Sequence, residues 1–200
     1  MNVMGSAGKK FQQETSLHRV SMSLASRKHE ESPKQSERGV VEVNEPQRVP
    51  SAILHKMELL TGVWHGQVSL APSQLFPNGL TATATYSGQL NLSGNVVVGH
   101  ERYRRHLHLI HQAINIFGWD WDRQQFSLYR FESGQPFPTA PAFGQWQDQV
   151  LRLQGATEHG GVSFVYIFQD QSCSIEKRLL PHSGEAEQLV FHGRYERLGQ

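Results

Sequence analysis

The chain has 200 residues, of which 38% are hydrophobic and 18% charged, with 19 Lys and Arg against 18 Asp and Glu. A formal charge of +1 argues against a nucleic-acid-binding domain, which carries a basic face, and no apolar run approaches the roughly 18 residues of a membrane span. The one cysteine, Cys173, excludes an internal disulfide and every zinc site built from several cysteines.

The first 50 residues differ in composition from the rest. Only Phe11 of the chain's aromatic residues lies there, and Ser, Gln, Glu and Lys dominate. A segment with so little surface to bury cannot offset the entropy lost on ordering. We therefore predict a disordered extension over 1–50 and one folded domain over 51–200. The extension lacks the apolar core of a secretory signal, so we expect a cytoplasmic protein.

The first predicted element of the domain is a short helix over 51–60. Pro50 can start it, Ile53 and the leucines supply an apolar side, and Gly62 can end it. Ten residues are marginal as an isolated helix, so this one must pack on the rest of the domain.

From there onward, apolar and polar residues alternate. Over 80–92 every even position is apolar or Gly and every odd one polar, which indicates a strand with one buried face. A further short strand is possible at 142–147. The segment 96–119 has no strong turn signal, so it is either a hairpin that turns near 104–108 or one long bent strand. The other predicted strands are 63–70, 96–104, 108–119, 125–132, 149–155, 162–169, 173–180 and 188–198.

Short polar or Gly-containing turns separate most of these strands, as antiparallel hairpins require. The Pro-rich segment 135–141 is predicted to be a longer loop. Consecutive hairpins leave no exposed edge when the sheet closes on itself. The fold class is therefore all-β: a single antiparallel barrel of nine or ten strands with one short N-terminal helix.

The start and the end of the domain carry motifs that resemble those of calycins, the lipocalin-like barrels. Gly62, Val63 and Trp64 open the first strand as a G-x-W signature. In that fold an Arg near the end of the last strand stacks over the Trp, a role that Arg194 or Arg197 could fill here. Such a cation–π contact is worth about 0.5–2 kcal/mol and would close the barrel.

More specifically, residues 55–198 resemble the uncharacterised calycin-like domain-of-unknown-function family 1579 (DUF1579). The resemblance lies in LTGVWHG (60–66), GWDWD (118–122) and FHGRYER (191–197), although the family usually has Tyr-Asp at Trp119-Asp120. It implies a ten-stranded lipocalin-like barrel without an assigned activity, and it carries over no catalytic residues.

The nitrobindin-type haem barrels are more distant relatives. This chain matches their G-x-W-x-G-x-G opening through Gly62, Trp64 and Gly66 but not at Val68. His192 is the available axial ligand, but strand parity places it on the face opposite the neighbouring aromatic residues. We therefore expect no haem and no other cofactor.

The apolar strand faces supply the candidate ligand-binding residues of the barrel lumen. A filled core accounts for most of these side chains, but a barrel of this size can also hold one small ligand. The lumen candidates are Trp64, Tyr86, Phe126, Leu128, Phe164, Tyr166, Phe168, Phe191 and Tyr195.

Polar candidates lie on the third strand, where His100, Arg102 and Arg104 share a face with Val96 and Val98. That face is either a positive pocket wall, with His100 and Arg102 as the polar pocket residues, or a solvated surface. Solvation is favoured, because arginines are almost never buried unpaired.

Two other clusters are given ordinary interpretations. On one strand His106 and His108 would share a face with His111 opposite, but no third ligand follows in register, so we expect no metal site. Asp120 and Asp122 belong to a predicted tight turn, where Asp side chains bond the backbone.

Three functions remain open. The first is a barrel that binds a small apolar or amphipathic ligand without covalent chemistry. The second is an enzyme at the barrel mouth that uses His100, Arg102 and His111 on an anionic or carbonyl substrate. The third is an interaction module whose extension, 1–50, recruits partners. Fold alone does not choose among them, and the oligomeric state stays open.

Overall fold

The computed structural model describes residues 48–73, 76–134, 140–157, 160–181 and 186–199. All but the last three residues of the predicted disordered extension lie outside the described residues. None of the described helices is long and apolar enough to cross a membrane.

The described residues form one short α-helix, one 3-10 helix at Leu92–Gly94 and ten strands. The helix, α1, covers Ser51–Glu58, and the strands are β1 (Gly62–Leu70), β2 (Leu80–Asn91), β3 (Val96–Arg105), β4 (His108–Asp120), β5 (Gln125–Glu132), β6 (Ala142–Gln147), β7 (Val150–Thr157), β8 (Gly160–Gln169), β9 (Ser172–Pro181) and β10 (Gln188–Arg197). The segment at 142–147 is thus a strand. The segment at 96–119 is a hairpin, because Arg105 pairs with His108 across a two-residue turn.

Every strand pairs antiparallel with its neighbour in sequence, and β1 pairs with β10 over Trp64–Leu70, so the sheet is a closed barrel. This confirms the predicted fold class. Closure is tight at Gly66, where a side-chain Cβ would overlap the Arg194 carbonyl oxygen of β10. Only a glycine permits the two backbones to approach this closely.

The helix covers one end of the barrel. Met57 and Leu60 are 0% and 3% exposed, so the apolar side of the helix and of the turn after it completes the core. The last strand is hydrogen-bonded to the segment after the helix, because Arg197 Nη2 donates to the carbonyl oxygens of Thr61 at 2.9 Å and Leu59 at 3.3 Å.

Alternate turns lie at opposite ends of the barrel. The end that α1 covers, called the helix end below, also holds the four turns β2–β3, β4–β5, β6–β7 and β8–β9. Four aspartates lie in or beside these turns: Asp120, Asp122, Asp148 and Asp170. The opposite end, called the far end below, holds the β3–β4 turn.

Candidate functional site

The barrel interior is filled in one part and hollow in another. Phe126 and Leu128 of β5 are 2% and 1% exposed and belong to the packed core with Trp146 and Leu151. Beside this packed part lies a cavity of about 230 Å³. A cavity of about 150 Å³ is enough to bind benzene in a protein core.

Most of the predicted lumen residues line the cavity. Those that do so are Trp64, Tyr86, Phe164, Tyr166, Phe168, Phe191 and Tyr195. The other two candidates, Phe126 and Leu128, are buried but lie outside the cavity lining, which corrects their assignment as ligand contacts. The rings of Phe126 and Trp146 pack against each other with 5.6 Å between their centroids.

One wall of the cavity is charged, and at its centre is the buried carboxylate of Glu101. Its Oε1 accepts hydrogen bonds from the hydroxyls of Tyr103 at 2.6 Å and Tyr195 at 2.9 Å. Its Oε2 accepts hydrogen bonds from Arg130 Nη1 at 2.6 Å and from Asn115 Nδ2 at 3.5 Å. Four donors thus surround one side chain that is 3% exposed.

Arg130 joins this carboxylate to a second one. Its Nη1 also donates to Asn115 Oδ1 at 2.7 Å, and its Nε donates to Glu132 Oε1 at 2.5 Å. Lys177 Nζ lies 3.4 Å from the same Glu132 oxygen. The four charged side chains of this wall therefore sum to zero charge. We call Glu101, Asn115, Arg130, Glu132 and Lys177 the polar wall.

The polar wall holds both carboxylates ionised. Burial alone would raise the pKa of Glu101, but the positive charge of Arg130 and the hydrogen bonds from Tyr103, Arg130 and Tyr195 outweigh it, so the pKa is lowered. Burial likewise opposes ionisation of Glu132, yet Arg130 and Lys177 lower its pKa to about 2. A base that is already fully paired with donors is poorly suited to take a proton from a substrate.

His111 lines the part of the cavity that lies toward the far end of the barrel. Its ring stacks on Tyr103 with 5.0 Å between centroids, and its Nδ1 lies 3.5 Å from the Ser133 hydroxyl. Burial lowers the pKa of His111, against the opposing charge of Glu132, so the ring is neutral at physiological pH. Together with Glu132, Lys177 and Val190 it forms what we call the mouth of the cavity.

Two further groups that can donate a hydrogen bond face the cavity outside the polar wall. Tyr166 packs edge-on against Phe117 at 5.6 Å, and its hydroxyl has no hydrogen-bond partner among the residues that the structure describes. Burial raises the pKa of the Cys173 thiol to about 12, and Sγ lies 3.7 Å from the Ser174 carbonyl oxygen. Tyr166 therefore offers a free donor, whereas Cys173 contributes apolar surface.

The two predicted polar pocket residues, His100 and Arg102, lie on the outer face of β3 and are exposed. Strand alternation directs Glu101 and Tyr103 inward instead, so the face of His100 and Arg102 is the solvated surface that was favoured and not the alternative pocket wall. A signal for the true polar wall was present in β5, since Arg130 continues the parity of the two inward apolar residues before it. Sequence reasoning passed over it because charged residues are seldom buried.

Of the two arginines considered for barrel closure, Arg197 is the one that stacks on Trp64. Its guanidinium carbon lies 4.6 Å from the centre of the indole ring, and Trp64 Nε1 donates to the Thr61 carbonyl oxygen at 3.0 Å. Arg194 is exposed on the outside of β10. Strand alternation distinguishes the two arginines: Arg194 is next to the inward-facing Tyr195 and so points outward, whereas Arg197 is two residues after Tyr195 and lies on the same face as it.

The remaining clusters lie at the barrel's ends. His106 is in the β3–β4 turn and not on a strand face with His108, which corrects the geometry considered for a metal. No group of three metal-ligating side chains occurs within the described part of the chain. Asp120 accepts hydrogen bonds from the Arg123 backbone N–H at 2.8 Å and its guanidinium at 2.9 Å, which is turn chemistry.

Comparison with known proteins supports the fold and nothing finer. No protein-family model matches the chain, and no curated protein matches it. Among solved structures it is similar to the crystal structure of Rv2717c from M. tuberculosis, at 10% identity with a TM-score of 0.55. That match covers 73% of this chain and 97% of the other. At this identity the likeness shows a shared barrel fold alone.

Proposed function

We propose that this barrel binds a small amphipathic molecule in its interior without covalent chemistry, as its resemblance to calycins implies. The observation that carries the proposal is the cavity itself, which has aromatic walls on most sides and a polar wall on one. Ligand sites combine a mostly apolar lining with a few placed polar groups in this way. Membership of the calycin-like DUF1579 family belongs to the same proposal.

The size and charge of the cavity narrow the class of ligand. A volume of about 230 Å³ suits a molecule of roughly ten non-hydrogen atoms. The polar wall is charge-balanced and already paired, so a charged ligand would bring an uncompensated charge into a dry site. We therefore propose a planar or compact ligand with no net charge, whose polar group accepts a hydrogen bond from Tyr166.

The two other functions have less support. His100, Arg102 and His111 cannot act together on one substrate, because the first two are on the outer face of the barrel and the third lines the cavity. An interaction role for 1–50 stays a prediction, since that segment lies almost wholly outside the described residues. A cytoplasmic setting likewise stays a prediction.

The proposal is tested with 2-naphthol and naphthalene, two planar bicyclic compounds of the right size that differ by one hydroxyl. Calorimetry and thermal shift should detect both, with 2-naphthol bound more tightly. Tyr166→Phe should reduce the ratio of the affinity for 2-naphthol to that for naphthalene about fivefold, which corresponds to the loss of one hydrogen bond. Tyr129→Phe, which changes an exposed tyrosine on the outside of β5, is the matched control and should change nothing.

A second variant tests the location of the site. Ile175 lines the cavity from β9, so Ile175→Trp should fill the space and abolish binding while the far-ultraviolet spectrum stays that of a β-barrel. Binding that survives Ile175→Trp places the compound elsewhere and defeats the proposal. So does the absence of any heat or thermal shift with either compound up to its solubility limit.

A further inference from the structure

The tip of the β3–β4 hairpin combines exposed aliphatic and basic side chains. We call residues 104–109 the basic tip; its sequence is Arg-Arg-His-Leu-His-Leu. Leu107 is 93% exposed and Leu109 48% exposed, although both are large apolar residues. An exposed leucine alone is unremarkable, but two of them among four basic or titratable residues make a surface of mixed chemistry.

The backbone presents this tip firmly. Arg105 pairs with His108 directly across the turn and Arg104 pairs with Leu109; the register then shifts between Arg104 and Tyr103, and Tyr103 pairs with His111. His106 occupies the left-handed region with φ of +54°, which lets the chain reverse in two residues. Strand pairing therefore reaches the last residues before the turn, and Leu107 lies in the turn itself with its side chain exposed.

No carboxylate among the described residues forms an ion pair with the arginines of the basic tip. Arg104 and Arg105 form no ion pair within the described ranges, and the described carboxylates toward the far end lie beside other cations: Glu132 beside Arg130 and Lys177, and Glu176 and Glu187 beside Arg178. The four turn aspartates lie at the helix end. Among the described residues, the far end thus exposes two arginines that form no ion pair, and the helix end exposes turn carboxylates.

We propose that the basic tip docks this protein on an anionic lipid bilayer. A bilayer surface accepts aliphatic side chains among its acyl chains and cations among its headgroups at the same time. Sites for single-stranded nucleic acid stack successive bases on large aromatic side chains, and the basic tip has no Phe, Tyr or Trp. This inference does not depend on the proposed ligand, although docking would bring the mouth of the cavity to the membrane surface.

The test measures cosedimentation of the full chain with phosphatidylcholine vesicles that contain or lack phosphatidylserine. The full chain is used throughout because residues 1–50 hold 8 Lys and Arg, whose contribution must stay constant between variants. We expect binding to the phosphatidylserine vesicles that weakens with added salt. Arg104→Gln with Arg105→Gln should weaken it about 25-fold, roughly fivefold for each arginine.

Further variants separate the two components of the surface. Leu107→Ser should weaken binding about tenfold, whereas Arg152→Gln, an exposed arginine on the outside of β7, should leave it unchanged. Leu107→Trp should show a blue shift of its emission on mixing with phosphatidylserine vesicles. Because the basic tip is exposed, none of these changes should alter the unfolding midpoint.

Three results would each overturn the inference. The first is binding that is absent with both kinds of vesicle, or equal with both. The second is binding that persists unchanged after the double arginine substitution, which would assign it to residues 1–50. The third is binding of a single-stranded RNA oligonucleotide that depends on the basic tip while vesicles are ignored.

Discussion

Replacing Glu132 with glutamine should destabilise the protein by about 3 kcal/mol at neutral pH. Glu132 is 13% exposed and accepts contacts from Arg130 and Lys177. Against the opposing effect of burial, these cations lower its pKa from the usual 4.5 to about 2. A fall of that size corresponds to about 3 kcal/mol of preference for the ionised folded state.

The sign of the pH dependence follows from the direction of the pKa change. A carboxylate whose pKa is lowered by folding stabilises the protein above the unfolded pKa, and this contribution disappears as the pH falls through the folded pKa. The window for Glu132 therefore runs from about pH 5 down to about pH 2. At pH 3 the difference between wild type and Glu132→Gln should have shrunk to about 1.5 kcal/mol.

Urea unfolding of both proteins at pH 7 and pH 3 measures these differences. Glu187→Gln is the matched control, because Glu187 is 58% exposed and 3.8 Å from Arg178; it should change stability by less than about 0.5 kcal/mol. The reasoning fails if Glu132→Gln costs under about 1 kcal/mol at pH 7. It also fails if the loss is the same at both pH values, since the charge would then be irrelevant.

Three other predictions concern the packing around the cavity. Arg197→Met should cost about 1–2 kcal/mol in urea unfolding, against under about 0.5 for the exposed Arg194→Met, and equal losses would contradict the role of stacking. Gly99→Ala should cost about 2 kcal/mol, because the new Cβ would overlap the Tyr86 ring; an unchanged midpoint would show that the ring moves freely. Cys173 in the native protein should react with a disulfide reagent at pH 8 about a thousandfold more slowly than in urea, since its pKa is about 12, and equal rates would show that the thiol is accessible.

The fold could be predicted because alternation is a local property of each strand. In β2, the threonines at 81, 83 and 85 and the alanines between them indicate a one-sided strand without any knowledge of its neighbours. The boundaries of that strand, predicted as 80–92, end at Asn91 in the structure. The helix was predicted two residues too long, because the leucines after Glu58 lie in the turn that follows it.

The polar wall could not be predicted in the same way. Whether a charged residue is buried depends on partners that come from other strands, and Glu101 obtains its own from β3, β4, β5 and β10. Asn115 lies directly opposite Arg130 only once the β4–β5 register is fixed. Without that register, the general preference of charged side chains for water correctly favoured solvation of His100 and Arg102, but it gave no reason to place Glu101 and Arg130 inside the barrel.

The bond between the two ends of the domain has a consequence for how the protein is made. Arg197 and the Leu59 carbonyl oxygen that it binds are 138 positions apart in sequence, and β1 has no second neighbour until β10 exists. During synthesis the growing chain therefore presents β1 as an unprotected edge until almost the last residue leaves the ribosome. Contacts so distant in sequence also slow folding. A premature stop codon anywhere before β10 should yield an open sheet that is prone to aggregate.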